Sequence, residues 1–128
     1  MRQAIFLAFL WWQVPQEATL TFEKVAHTFE QGDATRLATY FGDLIDLKVQ
    51  NPKTNFSRVH AQLIMAKFFR ENPPLSFFFL HKGSTADQAK SAIGEYVSRS
   101  GQKFRVYFIA TKRGQKHSIR SLSIIPVE

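Results

Sequence analysis

From Thr21 onward the apolar residues recur at steps of three and four. Phe22, Val25, Ala26 and Phe29 make one stripe, which predicts a first helix with a single apolar face. Gly32 stands where that helix can end on a left-handed residue. Asp33 then caps a second helix whose face is Ala34, Leu37, Ala38 and Phe41, with Gly42 closing it. Asp43 to Val49 alternates and predicts a short strand, and Asn51 to Asn55, with Pro52 among them, predicts a loop. Ser57 caps a third helix. Ala61, Ile64, Met65 and Phe68 share one side of it, and Val59 and Leu63 widen the apolar surface, so the pattern predicts a deeply buried helix. Asn72, Pro73 and Pro74 end it, because proline disfavours helical geometry in the preceding residue and donates no backbone hydrogen bond.

Beyond Pro74 the pattern becomes extended. Leu75 to Lys82, Ala89 to Ser98, Phe104 to Lys112 and His117 to Val127 are separated by Gly83 with Ser84, by Gly101 and by Gly114. Such short connections predict an antiparallel meander. With one strand between the second and third helices, the layout is α+β, the helices lying against one face of the sheet. Strand alternation sends Phe104, Val106, Phe108 and Ala110 to the core and leaves a mixed face of Arg105, Tyr107, Ile109 and Thr111. Phe77, Phe78, Phe79 and Leu80 are consecutive, so one pair of them must point away from the core. Together with Tyr107 and Ile109 that pair predicts an apolar outer patch, the kind of surface through which a domain self-associates.

The first 18 residues have a different order. Arg2 precedes the apolar run Ala4 to Trp12, and Gln13 to Glu17, with Pro15, form a polar exit. This is the order of a secretory signal peptide, and it divides the chain into a signal at 1–18 and a domain at 19–128 of an exported protein. The nine apolar residues fall well short of the about 20 that a spanning helix takes, so no transmembrane segment is expected. The alternative is that the run packs as an amino-terminal element of the domain, which then stays in the cytoplasm.

At 128 residues, with 45% hydrophobic residues and 13 Phe, the chain suits one domain with a real core, burying roughly two thirds of its unfolded surface. There is no cysteine, which excludes disulfides, thiolate metal sites and cysteine nucleophiles. Seventeen Lys and Arg against ten Asp and Glu give +7, a field that favours polyanions. Loss of 1–18 removes Arg2 and Glu17 together and leaves that balance unchanged. The basic residues form no run, and Phe104 and Phe108 of the strand that interleaves basic and aromatic residues belong to the core, so nucleic-acid binding is expected to be weak and without sequence preference.

A family resemblance rests on particular residues. Phe29, Glu30, Gln31, Gly32, Asp33, Ala34, then Leu37, Ala38, Tyr40 and Phe41 are similar to the opening of nuclear transport factor 2-like domains. Lys67, Phe68, Phe69, Asn72, Pro73, Pro74, the His81, Lys82, Gly83 stretch, and Arg105 to Phe108 resemble a small bacterial, typically exported family, domain of unknown function 4783. The resemblance implies a cystatin-like cone, in which three helices pack on a strongly curved antiparallel sheet that leaves a cavity at its open end. Cones of this kind include isomerases and dehydratases as well as binding and dimerisation domains, so fold alone does not settle function.

The residues themselves supply little chemistry. Asp46 and Glu95 are the carboxylates well inside strands and form no close pair, so paired-carboxylate catalysis is not expected. His27, His60, His81 and His117 show no metal spacing. No catalytic residue, metal or cofactor is assigned. Tyr40, His60 and His81 are the candidates for lining the cone pocket. Lys82 to Thr85 lacks the glycine order of a phosphate loop and reads as a hairpin turn, while Asn55, Phe56, Ser57 matches a glycosylation acceptor. The expectation is a domain without catalysis that binds a small molecule or a protein partner. A cofactor-free isomerase or dehydratase and a weak polyanion binder are the alternatives.

Overall fold

The computed structural model describes residues 19–85 and 87–128; the segment assigned to a signal peptide, 1–18, lies outside them. The elements run α1 (Phe22–Gln31), α2 (Ala34–Ala38), β1 (Phe41–Val49), β2 (Thr54–Ser57), α3 (Arg58–Glu71), β3 (Pro74–Ser84), β4 (Lys90–Ser98), β5 (Lys103–Arg113) and β6 (Lys116–Val127). The strands form one sheet in the order β2-β1-β6-β5-β4-β3, and the three helices cover one face of it. The α+β class and cone-type layering therefore stand.

Local chemistry starts and stops the helices. Thr21 Oγ1 accepts from the Lys24 amide at 3.1 Å, Asp33 Oδ1 from Arg36 at 2.9 Å and Ser57 Oγ from His60 at 3.3 Å, each occupying an amide that a helix start leaves unpaired. Gly32 ends α1 at φ +64°, and a β-carbon there would stand 3.1 Å from Pro74 Cδ. Both the backbone and the space favour glycine at that corner.

Several elements depart from the sequence reading. Gly42 does not close α2. That helix stops at Ala38, where Thr39 Oγ1 donates to the Arg36 carbonyl at 2.6 Å. The Tyr40 carbonyl is already engaged by the Ile119 amide at 2.7 Å, so sheet pairing begins where another helical turn would have been. Residues 54 and 55 leave the predicted loop to join β2, paired antiparallel with β1. The sheet is mixed rather than wholly antiparallel, because β1 lies parallel to β6, from which β2, α3 and the strands β3 to β5 separate it along the chain. Lys82, Gly83 and Ser84 belong to β3, and the turn follows them, with the Thr85 amide donating to the Ala89 carbonyl at 2.9 Å. Finally, α3 buries one face only. Ala61, Met65, Phe68 and Phe69 are covered, while Val59 and Leu63 are 71% and 64% exposed, since none of the described residues forms a layer over the outer side of that helix.

Candidate functional site

The inside of the cone is where a pocket was expected, and aromatic side chains occupy it. Phe29 stacks on Phe77 with ring centres 4.9 Å apart and planes 16° apart, and Phe69 meets Phe29 edge-on at 5.8 Å. Phe68 contacts Phe104 at 5.0 Å and Tyr96 at 5.3 Å. All six are buried. Edge-to-face and offset pairs are the favourable aromatic arrangements, so this cluster serves as core. The polar groups among these rings are engaged. Tyr96 donates its hydroxyl to the Asn72 carbonyl, Thr28 donates to the Val25 carbonyl at 2.7 Å, and Ser98 Oγ accepts from the Gln102 amide at 3.2 Å. Burial pushes the Tyr96 phenol well above its ordinary value, which keeps it a neutral donor rather than a base.

The three candidate pocket residues lie apart. Tyr40 is buried just before β1. His60 is exposed in the first turn of α3, its ring edge-on to Phe56 at 4.8 Å. His81 is exposed on β3, opposite Ile93. Since β3 and β2 are the two opposite edges of the sheet, the fold does not bring His81 to the other two. The carboxylates point outward. Asp46 is exposed and accepts from Asn55 Nδ2 at 3.0 Å, and Glu95 stands opposite Arg105 on the outer face. Among the described residues no group of three His, Asp or Glu side chains is placed to hold a metal, and no helix is long and apolar enough to cross a membrane.

The surface offers three other features. The outer sheet face carries Phe78, Leu80, Tyr107, Ile109 and Ile125, all at least a third exposed. A groove of about 590 Å³ runs between the α1–α2 corner and the end of α3, past Gln31, Asp33, Thr35, Arg70 and Pro74. A second concavity, of about 470 Å³, lies at the β5–β6 hairpin end and takes in Gly42, Asp43, Arg58, Arg113, Lys116 and Arg120. Sequence reasoning missed this one. The alternation of Thr111 with Arg113 and of Lys116 with Ser118 around Gly114 was visible, but the approach of β1 and α3 to that hairpin is a tertiary event with no local signal.

The match to the family model described as a domain of unknown function, DUF4783, spans residues 22–124. A DUF4783 family protein from Bacteroides uniformis is 29% identical, its solved structure superposing at a TM-score of 0.79 over 85% of this chain and 99% of its own. Two more distant structures share the fold alone. One is a domain of unknown function with a cystatin-like fold from Nostoc punctiforme, at 10% identity and a TM-score of 0.64 over 83% of this chain and 72% of that one. The other is a nuclear transport factor 2-like protein from Streptomyces avermitilis, described provisionally as a dehydratase, at 14% identity and 0.63 over 83% and 90%. No curated protein matches the chain. The helical corner at Gly32, the aromatic interior and all six strands fall within or overlap the matched span, and the chain belongs to the DUF4783 family of the nuclear transport factor 2-like, cystatin-like fold.

Proposed function

We propose that this domain is a binding module without catalysis, part of an exported protein, and that it acts through the outer face of its sheet by pairing with a second copy of itself. The observation that supports this reading is the split of the aromatic run in β3. Phe77 is 5% exposed and Phe79 packs against the core, whereas Phe78 and Leu80 are 47% and 49% exposed on the other side. Register carries the outward surface across the sheet: Phe78 lies opposite Glu95, Glu95 opposite Arg105, and Arg105 opposite Ile125. One row further, Ile93 lies opposite Tyr107. Within this face Arg105 Nε is buried with no hydrogen-bond partner among the described residues, a loss that a second surface able to accept from it would relieve. A self-complementary apolar face is the usual basis of a closed twofold dimer. Export is supported by the signal-like order of residues 1–18. The dehydratase alternative needs a proton acceptor inside the cone. Tyr96, the phenol among the buried rings, is held protonated against a carbonyl.

Light scattering on the full chain and on a chain beginning at Thr19 tests the reading. A dimer is expected in both, with Ile109→Lys weakening it by about tenfold or more, as a charge buried at an interface should. A chain beginning at Thr19 that stays monomeric at high micromolar concentration would refute the pairing. A dimer confined to that shorter chain would still uphold the pairing for the exported form, which has lost residues 1–18, with the retained segment covering the face in the unprocessed chain.

A further inference from the structure

The concavity at the hairpin end is built differently from the rest of the basic surface. Between Ile109, which pairs with Ser121, and Ala110, which pairs with Ile119, the β5–β6 register slips and leaves Arg120 as an extra residue. On its other side β1 pairs with Ile119 at Phe41 and with Ser121 at Asp46, so four residues of β1, 42–45, face Arg120 alone. Bulges of this kind interrupt the ladder and re-aim a side chain. The re-aimed stem lies across Gly42. A β-carbon there would sit 3.4 Å from Arg120 Cδ and 3.7 Å from Ser118 Cβ, and Gly42 is itself buried. Both are ordinary contact distances, so the arginine stem passes directly over Gly42.

The charges do not balance. Arg58, Arg113, Lys116 and Arg120 meet one carboxylate, Asp43, which is taken by Arg58 Nη2 at 2.9 Å. Among the described residues Arg113, Lys116 and Arg120 have no carboxylate within 4.0 Å. Arg113 and Lys116 also stand directly opposite each other across the hairpin, and like charges in register destabilise a sheet. Two residues inward Thr111 and Ser118 are paired, adding two hydroxyl donors. Some other cations have local partners: Lys82 and Lys90 lie over the Phe22 ring, Lys112 Nζ donates to Gln88 and Lys53 Nζ to Ser121; what sets the hairpin end apart is that its cations converge on one concavity.

From this geometry we infer that the hairpin concavity binds a doubly charged tetrahedral oxyanion, the phosphate group of a small phosphate monoester. Three cations without carboxylate partners match a dianion, guanidinium forks pair with phosphate oxygens two at a time, and hydroxyls complete the donor set. The volume, about 470 Å³, leaves room for an organic group beside the phosphate. The inference does not depend on pairing through the apolar face and stands if the domain is a monomer.

Calorimetric titration of the full chain with phenyl phosphate tests it. Saturable binding below about 1 mM is expected. Phenyl sulfate, of the same shape with one charge fewer, should bind about tenfold more weakly. Arg113→Gln, at the exposed hairpin end where folding is not at risk, and Arg120→Gln should each weaken phenyl phosphate about tenfold. Lys103→Gln, the same charge change at the far end of β5, should leave it within about twofold. Inorganic phosphate binding as tightly as phenyl phosphate would identify the free ion as the occupant and uphold the site. Equal losses in all three variants would reduce the effect to the diffuse basic field and overturn the inference. Failure to saturate at about 10 mM would also overturn it, as would binding confined to phosphatidic acid vesicles or to oligonucleotides.

Discussion

Gly94 is the position at which the smallest substitution should do the most damage. It is a buried residue of β4 on the inner face, and a β-carbon there would stand 2.4 Å from Phe77 Cζ, 2.7 Å from Phe77 Cε1 and 3.3 Å from the Phe78 carbonyl oxygen. Carbon atoms in contact prefer about 3.5–4.0 Å, so in Gly94→Ala the ring must retreat by about 1 Å. It has little room. Phe77 stacks on Phe29 at 4.9 Å and meets Phe79 edge-on at 5.1 Å. Overpacking of this kind costs about 1–3 kcal/mol, while replacing a strand glycine by alanine returns about 0.5–1 kcal/mol through the stiffer unfolded chain. The balance is a destabilisation of about 1–2 kcal/mol. Urea unfolding followed by far-ultraviolet circular dichroism should show a lower midpoint at an unchanged slope. The same substitution in a Phe77→Leu background, where the two clashing ring atoms are gone, should cost less than about 0.5 kcal/mol. A single variant as stable as the parent, or equal costs in both backgrounds, would refute this account of how β3 packs on β4.

Two further outcomes follow from the core and the helix corner. Tyr96→Phe removes the hydrogen bond to Asn72 and should cost about 1 kcal/mol near neutral pH. The folded phenol ionises only well above its usual value, whereas the unfolded one ionises near 10. Its contribution is therefore complete below about pH 10 and is lost as pH rises beyond that, by at most about 1.4 kcal/mol per unit. The parent should accordingly lose urea stability faster than Tyr96→Phe between about pH 9 and 11, and identical slopes would contradict the burial argument. Asp33→Ala removes the side-chain cap of α2 and should cost about 1 kcal/mol, with Asp33→Asn restoring most of it; equal losses in thermal unfolding would show that the cap is not the cause.

What could be read from the sequence was what local physics decides. The stripe through Phe22, Val25 and Phe29, the caps at Asp33 and Ser57, the stop at Asn72 and the inward set Phe104 to Ala110 all appear where pattern and capping chemistry place them. The failures are tertiary. Gly42 resembles a helix terminator until the Ile119 amide claims the Tyr40 carbonyl. Val59 and Leu63 suggest a helix surrounded by core until the sheet is seen to cover one side of it. The candidate residues lie apart for a related reason. His60 flanks the apolar side of α3 and His81 follows the phenylalanine run, yet near a cap or at a register shift the direction of a side chain depends on the partner strand. His81 lies just beyond the slip between Phe79 and His81 in β3.

That slip also bears on what the apolar face is for. Phe77 and Phe79 point inward and secure β3 to the aromatic cluster, and alternation alone then turns Phe78 outward. Alternation does not require that the outward residue be phenylalanine, nor that the extra residue at the slip be Leu80. A polar side chain at either position would leave the interior contacts unchanged and would make an edge strand less adhesive, which is how exposed edges are ordinarily protected. These two side chains add little to the fold, with about half of each in contact with solvent, and they face the same way as Ile109 and Tyr107. Their contribution has to lie in what the face contacts. The cone interior is occupied by its own rings, and both proposed contacts lie at the surface: an apolar sheet face suited to a second copy, with a basic concavity at its hairpin end suited to an anion.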